Sequence, residues 1–189
     1  LADDKSRVIS REDSGLYDAL NRGKNLIKGE YILLLHADDY FISENVVSRI
    51  VQELQNHANL DALFCGIEFV KNKDEIIRVW LPGAFSCVGY RFGWVPPHTG
   101  VVMKTQTYKI LLPFDTDYQI SSDYDFMLRF LKYSKNYHLS EIRATRMQLG
   151  GMSTNYLNYL KTFREDFAIS RKHKLFMFSP ILKRFYKLF

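Results

Sequence analysis

Five consecutive apolar or aromatic residues, Tyr31 to Leu35, are followed, after two intervening residues, by the adjacent carboxylates Asp38 and Asp39. The run is too short to cross a membrane, and it predicts a strand with both faces buried, as in a parallel sheet. Ligands of open α/β sheets bind beyond the carboxyl ends of the strands. Two carboxylates there repel each other unless a cation or a donor lies between them, and hard divalent cations take oxygen ligands and bridge to phosphates. The pair therefore indicates a metal-diphosphate site; a second interpretation is a turn that caps the helix after Ser43.

Predicted strands alternate with predicted helices along the rest of the chain, which indicates an α/β fold. The strands are expected over residues 31–35, 61–70, 76–80, 99–104 and 137–140. The helices are expected over residues 16–26, 43–54, 105–111 and 122–131, with Ser43 and Ser122 as N-caps, and two basic helices follow Gly151.

The charge of the chain is unevenly spread. The segment from residue 161 to the end holds eight Lys or Arg against two acidic residues, a surplus of six that exceeds the net charge of +5 of the whole chain. The near-neutral remainder argues against a nucleic-acid partner. The two cysteines, Cys65 and Cys87, form neither a disulfide framework nor a metal-ligand pair, and no secretory signal is visible, so a cytoplasmic location is expected.

Four motifs follow one another along the chain. They are SREDSGLYDALNRG at 10–23, GEYILLLHADD at 29–39, PHTGVVMK at 97–104 with LPFDTDYQISSDYD at 112–125, and GGMST at 150–154. In order and separation they resemble the motifs of family-2 glycosyltransferases of the GT-A fold, especially bacterial enzymes that build surface polysaccharides. The second motif is similar to the family's "G-E-Y-I-x-F-L-N-A-D-D", its form of the metal-binding DxD.

This resemblance implies an α/β, GT-A-like fold with a mixed, mostly parallel sheet flanked by helices. It implies a catalytic domain over residues 1–154 and a basic, aromatic helical tail over 155–189. The family's opening strand, roughly "S-I-I-T-P-x-Y-N", has no counterpart before Leu1. The domain is therefore expected to be incomplete at its N-terminal side.

The resemblance also assigns the nucleotide side of the site. Asp39 is expected to bind the Mg²⁺ or Mn²⁺ that bridges the nucleotide diphosphate, with Asp38 as a neighbouring ligand that contacts the ribose or a metal-bound water. His36 is expected to touch the sugar-nucleotide, with a packed core histidine as the alternative. Asp18 and Asn21 are expected to flank the nucleotide.

On the acceptor side, the resemblance makes Asp123 the general base that takes the proton of the acceptor hydroxyl. The alternative is a carboxylate in the first turn of a helix, where the helix dipole favours it. Asp125 is the second candidate for the base, and it is expected with His98 and Trp94 to line the acceptor pocket. Ordinary packing of Trp94 is equally compatible with the sequence.

The predicted function is the transfer of a sugar, with inversion, from a nucleotide-diphosphate sugar to a saccharide or lipid-linked acceptor in the synthesis of bacterial surface polysaccharides. The alternative is a truncated, non-catalytic module that binds a partner or a membrane. Aromatic residues interleave with the basic residues of the tail, a combination that suits an anionic membrane surface at the inner face of the cytoplasmic membrane. A tail helix that is packed and merely basic outside is the other interpretation.

Overall fold

The strands and helices of the protein were assigned in a computed structural model, which describes residues 6–71, 75–83, 87–149 and 158–186. The strands are β1 (Tyr31–Leu33), β2 (Tyr40–Phe41), β3 (Ala62–Lys71), β4 (Glu75–Trp80), β5 (Val101–Lys104) and β6 (Tyr137–Gln148). The helices are α1 (Leu16–Gly23), α2 (Val46–Asn56), α3 (Cys87–Arg91), α4 (Thr105–Leu111), α5 (Ser122–Tyr133), α6 (Tyr159–Lys172) and α7 (Ser179–Tyr186). Single 3₁₀ turns follow α1 and precede β5.

The sheet is mixed, with the strand order β1-β5-β3-β6-β2, and β4 also pairs with β3. The predicted α/β architecture with a mixed sheet is confirmed, but the expectation of a mostly parallel sheet is wrong. Among the described strands only β3 and β6 pair in parallel, and the other four pairings are antiparallel. An apolar run indicates that both faces of a strand are buried. It does not indicate whether the strand runs parallel or antiparallel to its neighbours, because that is set by the connections between strands.

Strand β1 is shorter and less buried than predicted. It ends at Leu33, all three of its residues are half-buried, and Leu35 is exposed. Within the described part of the chain its only sheet neighbour is β5. On its α2 side it borders an apolar groove of about 590 Å³, whose lining includes Val47 and Val51 of α2. The strand nevertheless ends immediately before the segment that carries His36, Asp38 and Asp39.

Strand β3 divides two hydrophobic cores, because its successive side chains point to opposite faces. Ala62 and Phe64 belong to a larger core with α4, α5 and α6. Leu63 and Cys65 belong to a smaller core with α2. Because both faces are covered, nearly every residue of β3 is buried, and this explains the uninterrupted apolar run in its sequence.

Two predicted helix caps are wrong. Helix α2 has Asn45 as its N-cap residue and α5 has Ser121, and neither side chain makes a capping hydrogen bond. The hydroxyl of Ser43 instead donates to the side-chain oxygen of Asn45 at 2.8 Å. At α5 the backbone N–H groups of the segment just before the helix are satisfied by Glu165 of α6, so a tertiary contact replaces the local cap.

The two tail helices are confirmed, and they pack on the rest of the protein. Ile169 of α6 lies in the larger core, and a buried ion pair of 2.6 Å joins Lys183 of α7 to Asp166 of α6. The predicted boundary between residues 154 and 155 and the motif at 150–154 lie outside the described residues. Among the helices that the structure describes, none combines the length and apolar character that crossing a bilayer requires.

Candidate active site

The carboxylate of Asp123 lies in the first turn of α5, where three elements meet. Its Oδ2 is 2.9 Å from Nδ1 of His98, which sits in the 3₁₀ turn before β5. Its Oδ1 is 3.2 Å from the hydroxyl of Tyr17 in α1, and that hydroxyl also lies 2.7 Å from the carbonyl oxygen of Ile120. These contacts hold the carboxylate in place. Because 29% of the Asp123 side chain remains exposed, the carboxylate is still open to a substrate.

Tyr17 stays a neutral hydrogen-bond donor beside this carboxylate. Burial is the largest cause that raises the pKa of the Tyr17 phenol, and the negative charge of Asp123 raises it further. A protonated phenol stabilises the ionised form of its acceptor. The hydroxyl has one proton, and its contact of 3.2 Å with Asp123 competes with the shorter contact of 2.7 Å with the carbonyl oxygen of Ile120.

His98 is fixed by close packing of its own turn. A Cβ atom at Gly100 would collide with the carbonyl oxygen of Cys65, so the turn can approach β3 this closely only with glycine at that position. The Nε2 atoms of His98 and His36 are 2.6 Å apart, which leaves room for one shared proton. A neutral His98 donates from Nδ1 to Asp123 only when His36 carries the shared proton on its own Nε2, because a neutral imidazole holds one ring proton.

His36 extends this chain of hydrogen bonds to the end of β1. Burial, and secondly the neighbouring His98, lower the pKa of His36 to about 4, so the ring is neutral near pH 7. The N–H of Asp39 donates to the carbonyl oxygen of His36 at 3.0 Å, and the N–H of His36 approaches Oδ2 of Asp39 at 3.4 Å. Asp39 is thereby joined to Asp123 through two histidines, and the residues predicted for the two sides of the site lie together.

The Asp38–Asp39 pair suits a divalent cation. Burial is the largest cause that raises the pKa of Asp39, and the charge of Asp38 adds to it, while the His36 N–H and His98 oppose the shift without cancelling it. Asp39 is thus a half-buried carboxylate whose negative charge is not fully compensated by nearby positive charge. The exposed Asp38 lies beside it. Mg²⁺ is commonly held by one or two carboxylates together with substrate phosphates. Asp38 and Asp39 fit a divalent cation of this kind, and they also form the predicted turn.

Asp18 and Asn21 are engaged in local structure. Asp18 accepts the N–H of Ser14 at 3.0 Å and pairs with Arg22 at 2.8 Å. Asn21 donates to the carbonyl oxygen of Phe114 at 2.9 Å and accepts the Phe114 N–H at 2.7 Å. The Asn21 bonds fix α1 against the loop before α5 and so position Tyr17. The nucleotide contacts of Asp18 and Asn21 stay a prediction.

Asp125 occupies a different environment from Asp123. Its side chain is fully buried and is bound by His173 at 2.8 Å, Arg129 at 2.9 Å and Lys172 at 3.0 Å. Burial alone would raise the pKa of Asp125, but the hydrogen bonds from His173 and Lys172 and the charge of Arg129 outweigh it and hold the pKa far below its usual range. The geometry gives no support to the predicted acceptor contact, because both oxygens are buried and occupied. Asp125 instead anchors α6 to α5.

Trp94 is half-buried in the segment between α3 and His98. Its backbone N–H donates to the carbonyl oxygen of Gly89 at 3.0 Å, which closes the turn after α3. Its acceptor contact stays a prediction.

Two residues of the site were missed by the sequence analysis. Tyr17 lies within the first motif, next to Asp18, and no role was predicted for it. Glu165 accepts the N–H groups of Gln119, Ile120 and Ser121 at 3.1, 2.9 and 2.8 Å, and so holds the segment before Asp123. A signal for Glu165 was present, since it and Asp166 are the two acidic residues of a basic tail, and both are buried.

Comparison with known proteins agrees with this fold. The profile of the family described as "Glycosyl transferase family 2" matches residues 1–118. The "PGL/p-HBAD biosynthesis glycosyltransferase" of Mycobacterium bovis is 23% identical over 188 residues, which cover 96% of this chain and 69% of the relative. An uncharacterized glycosyltransferase of Mycobacterium tuberculosis is 30% identical over 122 residues, or 64% of this chain and 45% of the relative.

Among solved structures, S. aureus TarS 1-349 in complex with UDP-GlcNAc superposes with a TM-score of 0.57 at 14% sequence identity, covering 95% of this chain and 54% of the TarS 1-349 chain. The likeness shows a shared GT-A-type fold. The chain spans about half the length of the TarS 1-349 structures. Since the family profile matches more than half of the chain, the chain belongs to glycosyl transferase family 2.

Proposed function

We propose that this chain forms the acceptor-side and metal-binding part of an inverting glycosyltransferase with Asp123 as the general base. The observation that carries the proposal is the partly exposed Asp123 carboxylate, which His98 and His36 connect to Asp39. The donor is a nucleotide-diphosphate sugar, a class supported by the UDP-GlcNAc in the TarS structure. The acceptor is a saccharide or a lipid-linked saccharide of a bacterial cell surface.

The reaction is a single displacement. The acceptor oxygen forms a bond to the anomeric carbon as the bond from that carbon to the diphosphate oxygen breaks, and the acceptor proton passes to Asp123. Attack from the face opposite the leaving group inverts the anomeric centre. His98 and Tyr17 contact different oxygens of Asp123, at 2.9 and 3.2 Å, and so restrict the orientation of the carboxylate before the proton arrives.

Asp38 and Asp39 would hold Mg²⁺ or Mn²⁺ at the end of β1. Such a cation neutralises charge that develops on the leaving diphosphate. His36 contributes to this side by fixing the turn that presents Asp39, through the backbone hydrogen bond of 3.0 Å.

The metal role predicts a large loss of activity on replacing Asp39 with Ala. In the complete enzyme we expect turnover of a UDP-sugar to fall on the order of 100-fold or more, because a bound cation supplies several kcal/mol of charge stabilisation. EDTA is expected to arrest the wild-type protein, and Mn²⁺ to restore it. Glu44→Ala, which removes an exposed carboxylate from the same loop, is the matched control and is expected to keep its turnover. Full turnover of the wild type in EDTA would rule out the metal.

We also propose that the tail binds an anionic membrane surface at the inner face of the cytoplasmic membrane. The turn between α6 and α7 supports this, because Met177 is 68% and Phe178 50% exposed. Exposed Arg171, Lys172 and Lys174 precede it directly. Apolar tips flanked by cations match the boundary between acyl chains and anionic headgroups.

The membrane contact predicts that Met177→Ser with Phe178→Ser weakens binding to phosphatidylglycerol vesicles about 10-fold or more, since each buried side chain contributes more than 1 kcal/mol. Cosedimentation at low and high salt measures it. Ile77→Ser on β4, where the side chain is 49% exposed, is the control for lost apolar surface. Deletion of the tail would be a poor test, because Lys172 and His173 hold Asp125. Unchanged binding of the double variant would leave the tail as a packing element.

A further inference from the structure

A second group of potential metal ligands lies on the α2 face of the sheet. Glu53 of α2, His57 at the C-terminal end of α2 and His138 of β6 are all half-buried, and one ligand atom from each lies within 4.8 Å of the other two. Helix α5, which carries Asp123, packs against the other face, in the larger core. The group therefore takes no part in the candidate active site.

The backbone brings these three side chains together. Glu53 and His57 are four residues apart at the end of a helix, a spacing that puts both on one side. His138 pairs with Leu63 in the parallel register of β6 and β3, and Leu63 belongs to the core beneath α2. His138 therefore projects toward the same helix end. The sequence motif is a Glu-x-x-x-His segment completed by one histidine from a strand.

The distances are close to those of a bound metal. Nε2 of His138 lies 3.3 Å from Oε1 of Glu53, and the rings of His57 and His138 stack with centroids 3.9 Å apart. Two ligands of a tetrahedral Zn²⁺, each with a bond of about 2.0–2.1 Å, are separated by about 3.4 Å. The pair of His138 and Glu53 already has this separation. A side-chain rotation of His57 would bring the third ligand into place.

The carboxylate of Glu53 is oriented by a neighbour outside the group. The hydroxyl of Ser140 donates to Oε2 of Glu53 at 2.6 Å, and Oγ of Ser140 accepts the N–H of Ile142 at 3.0 Å. Oε1 is thereby turned toward His138. Hydrogen bonds of this kind, from partners outside the coordination sphere, fix ligands in established metal sites.

Cys65 lies beneath the group and is not one of its ligands. Burial, and secondly the charge of Glu53, raise the pKa of the Cys65 thiol to about 12. The Cys65 side chain is fully buried, whereas the three proposed ligands are half-buried.

The ion pair with Glu53 explains why His138 points into the group, but it does not explain His57. Within the described part of the chain, His57 adds only its ring stacking to the other two side chains. His57 nevertheless places a ring nitrogen within 4.8 Å of the ligand atoms of the other two side chains.

We propose that Glu53, His57 and His138 bind a borderline transition-metal ion, with Zn²⁺ the first candidate. Imidazole ligands favour Zn²⁺, Co²⁺, Ni²⁺ and Cu²⁺ over Mg²⁺ and Mn²⁺, so this site differs in selectivity from the Asp38–Asp39 pair. An adjoining cleft of about 580 Å³, lined in part by Gln52, Asn56 and Glu141, gives an ion and its water ligand access. The bound ion ties the end of α2 to the start of β6. This proposal is independent of the proposed transferase function.

Titration of the metal-free chain with Co²⁺, followed by displacement with Zn²⁺, tests the site. We expect one Co²⁺ to bind with the visible absorption of a four-coordinate ion, and Zn²⁺ to displace it. His57→Ala and His138→Ala are each expected to weaken binding by more than the ~10- to 100-fold typical for loss of an outer partner. Ser140→Ala, which removes only such a partner, is expected to weaken it ~10-fold.

The matched controls come from the candidate active site, which contains the other histidine pair, His36 and His98. A variant with His36→Gln and His98→Gln, and separately Asp39→Ala, are expected to retain the Co²⁺ absorption and affinity of the wild type. Retained binding in His57→Ala and His138→Ala would overturn the proposal, as would loss of binding only in the His36/His98 variant. A wild-type chain that binds no Co²⁺ would overturn it as well. Because the readout is metal binding, an inactive protein leaves the result unaffected.

Discussion

Replacing Asp123 with Asn is expected to lower turnover by ~10²- to 10⁴-fold, the range that general-base catalysis contributes. The amide is nearly isosteric, so it keeps the neighbours His98 and Tyr17, but it cannot take the proton of the acceptor. The loss should therefore fall on the chemical step. Binding of a UDP-sugar, measured by calorimetry, is expected to stay within a few-fold of the wild type, because the base acts in the transition state.

Asp117→Asn is the control for this experiment, because Asp117 is an exposed carboxylate in the loop that leads to α5. It is expected to retain wild-type turnover. If Asp123→Asn turned over at the wild-type rate, another group would have to take the proton. Asp125 is a poor candidate for that group, since its buried carboxylate is already bound by Arg129, Lys172 and His173.

Replacing Asp125 with Asn is expected to lower the free energy of unfolding by about 3 kcal/mol. Removing one partner of a buried ion pair typically costs about 3–5 kcal/mol, because the other partner is left buried and uncompensated. The lower end applies here. Arg129 and Lys172 reach solvent and can be rehydrated, whereas His173 is buried and loses its partner.

Urea denaturation of the wild type and the Asp125→Asn variant at several pH values measures the size of this stability loss and the direction in which it changes with pH. The pKa of Asp125 in the folded protein lies below its ordinary value of 3.8. In acid the unfolded chain binds more protons at this residue, so its contribution is fully present above about pH 4–5 and is lost as pH falls through the folded pKa. The wild type and the variant should converge in strong acid. Asp117→Asn is again the control, and a difference below about 0.5 kcal/mol at pH 7 would show that Asp125 is not an anchor.

The local pattern of the sequence predicted the elements of the site better than their contacts. The apolar run before His36 predicted a strand, and the motif around Asp123 predicted a helix. Strand direction was wrong because β5 and β4 pair antiparallel with β3 over different parts of its length, and nothing within β3 reports which neighbour it meets. The hydrogen bonds from His98 and Tyr17 to Asp123 join residues far apart in the chain, so they become visible only in the folded protein.

The sequence could have shown that Asp123 and Asp125 face different environments, but not which environment each one faces. Residues two apart in a helix do not share a face, so one of the two had to point away from the cleft. Which one points away depends on α6, whose Lys172 and His173 meet Asp125. Those two residues looked like ordinary members of a basic tail. Long-range electrostatics, rather than periodicity, therefore decided the roles of the two carboxylates.

Glu165 accepts hydrogen bonds from the three backbone amides of residues 119–121, and this has a consequence for the order in which the chain folds during synthesis. A ribosome completes α5 well before it reaches α6, and domains generally fold as units as the chain emerges. Until α6 has emerged, nothing satisfies the N–H groups of residues 119–121 in their final arrangement. We therefore expect the segment before Asp123 to reach its final arrangement only after α6 has docked.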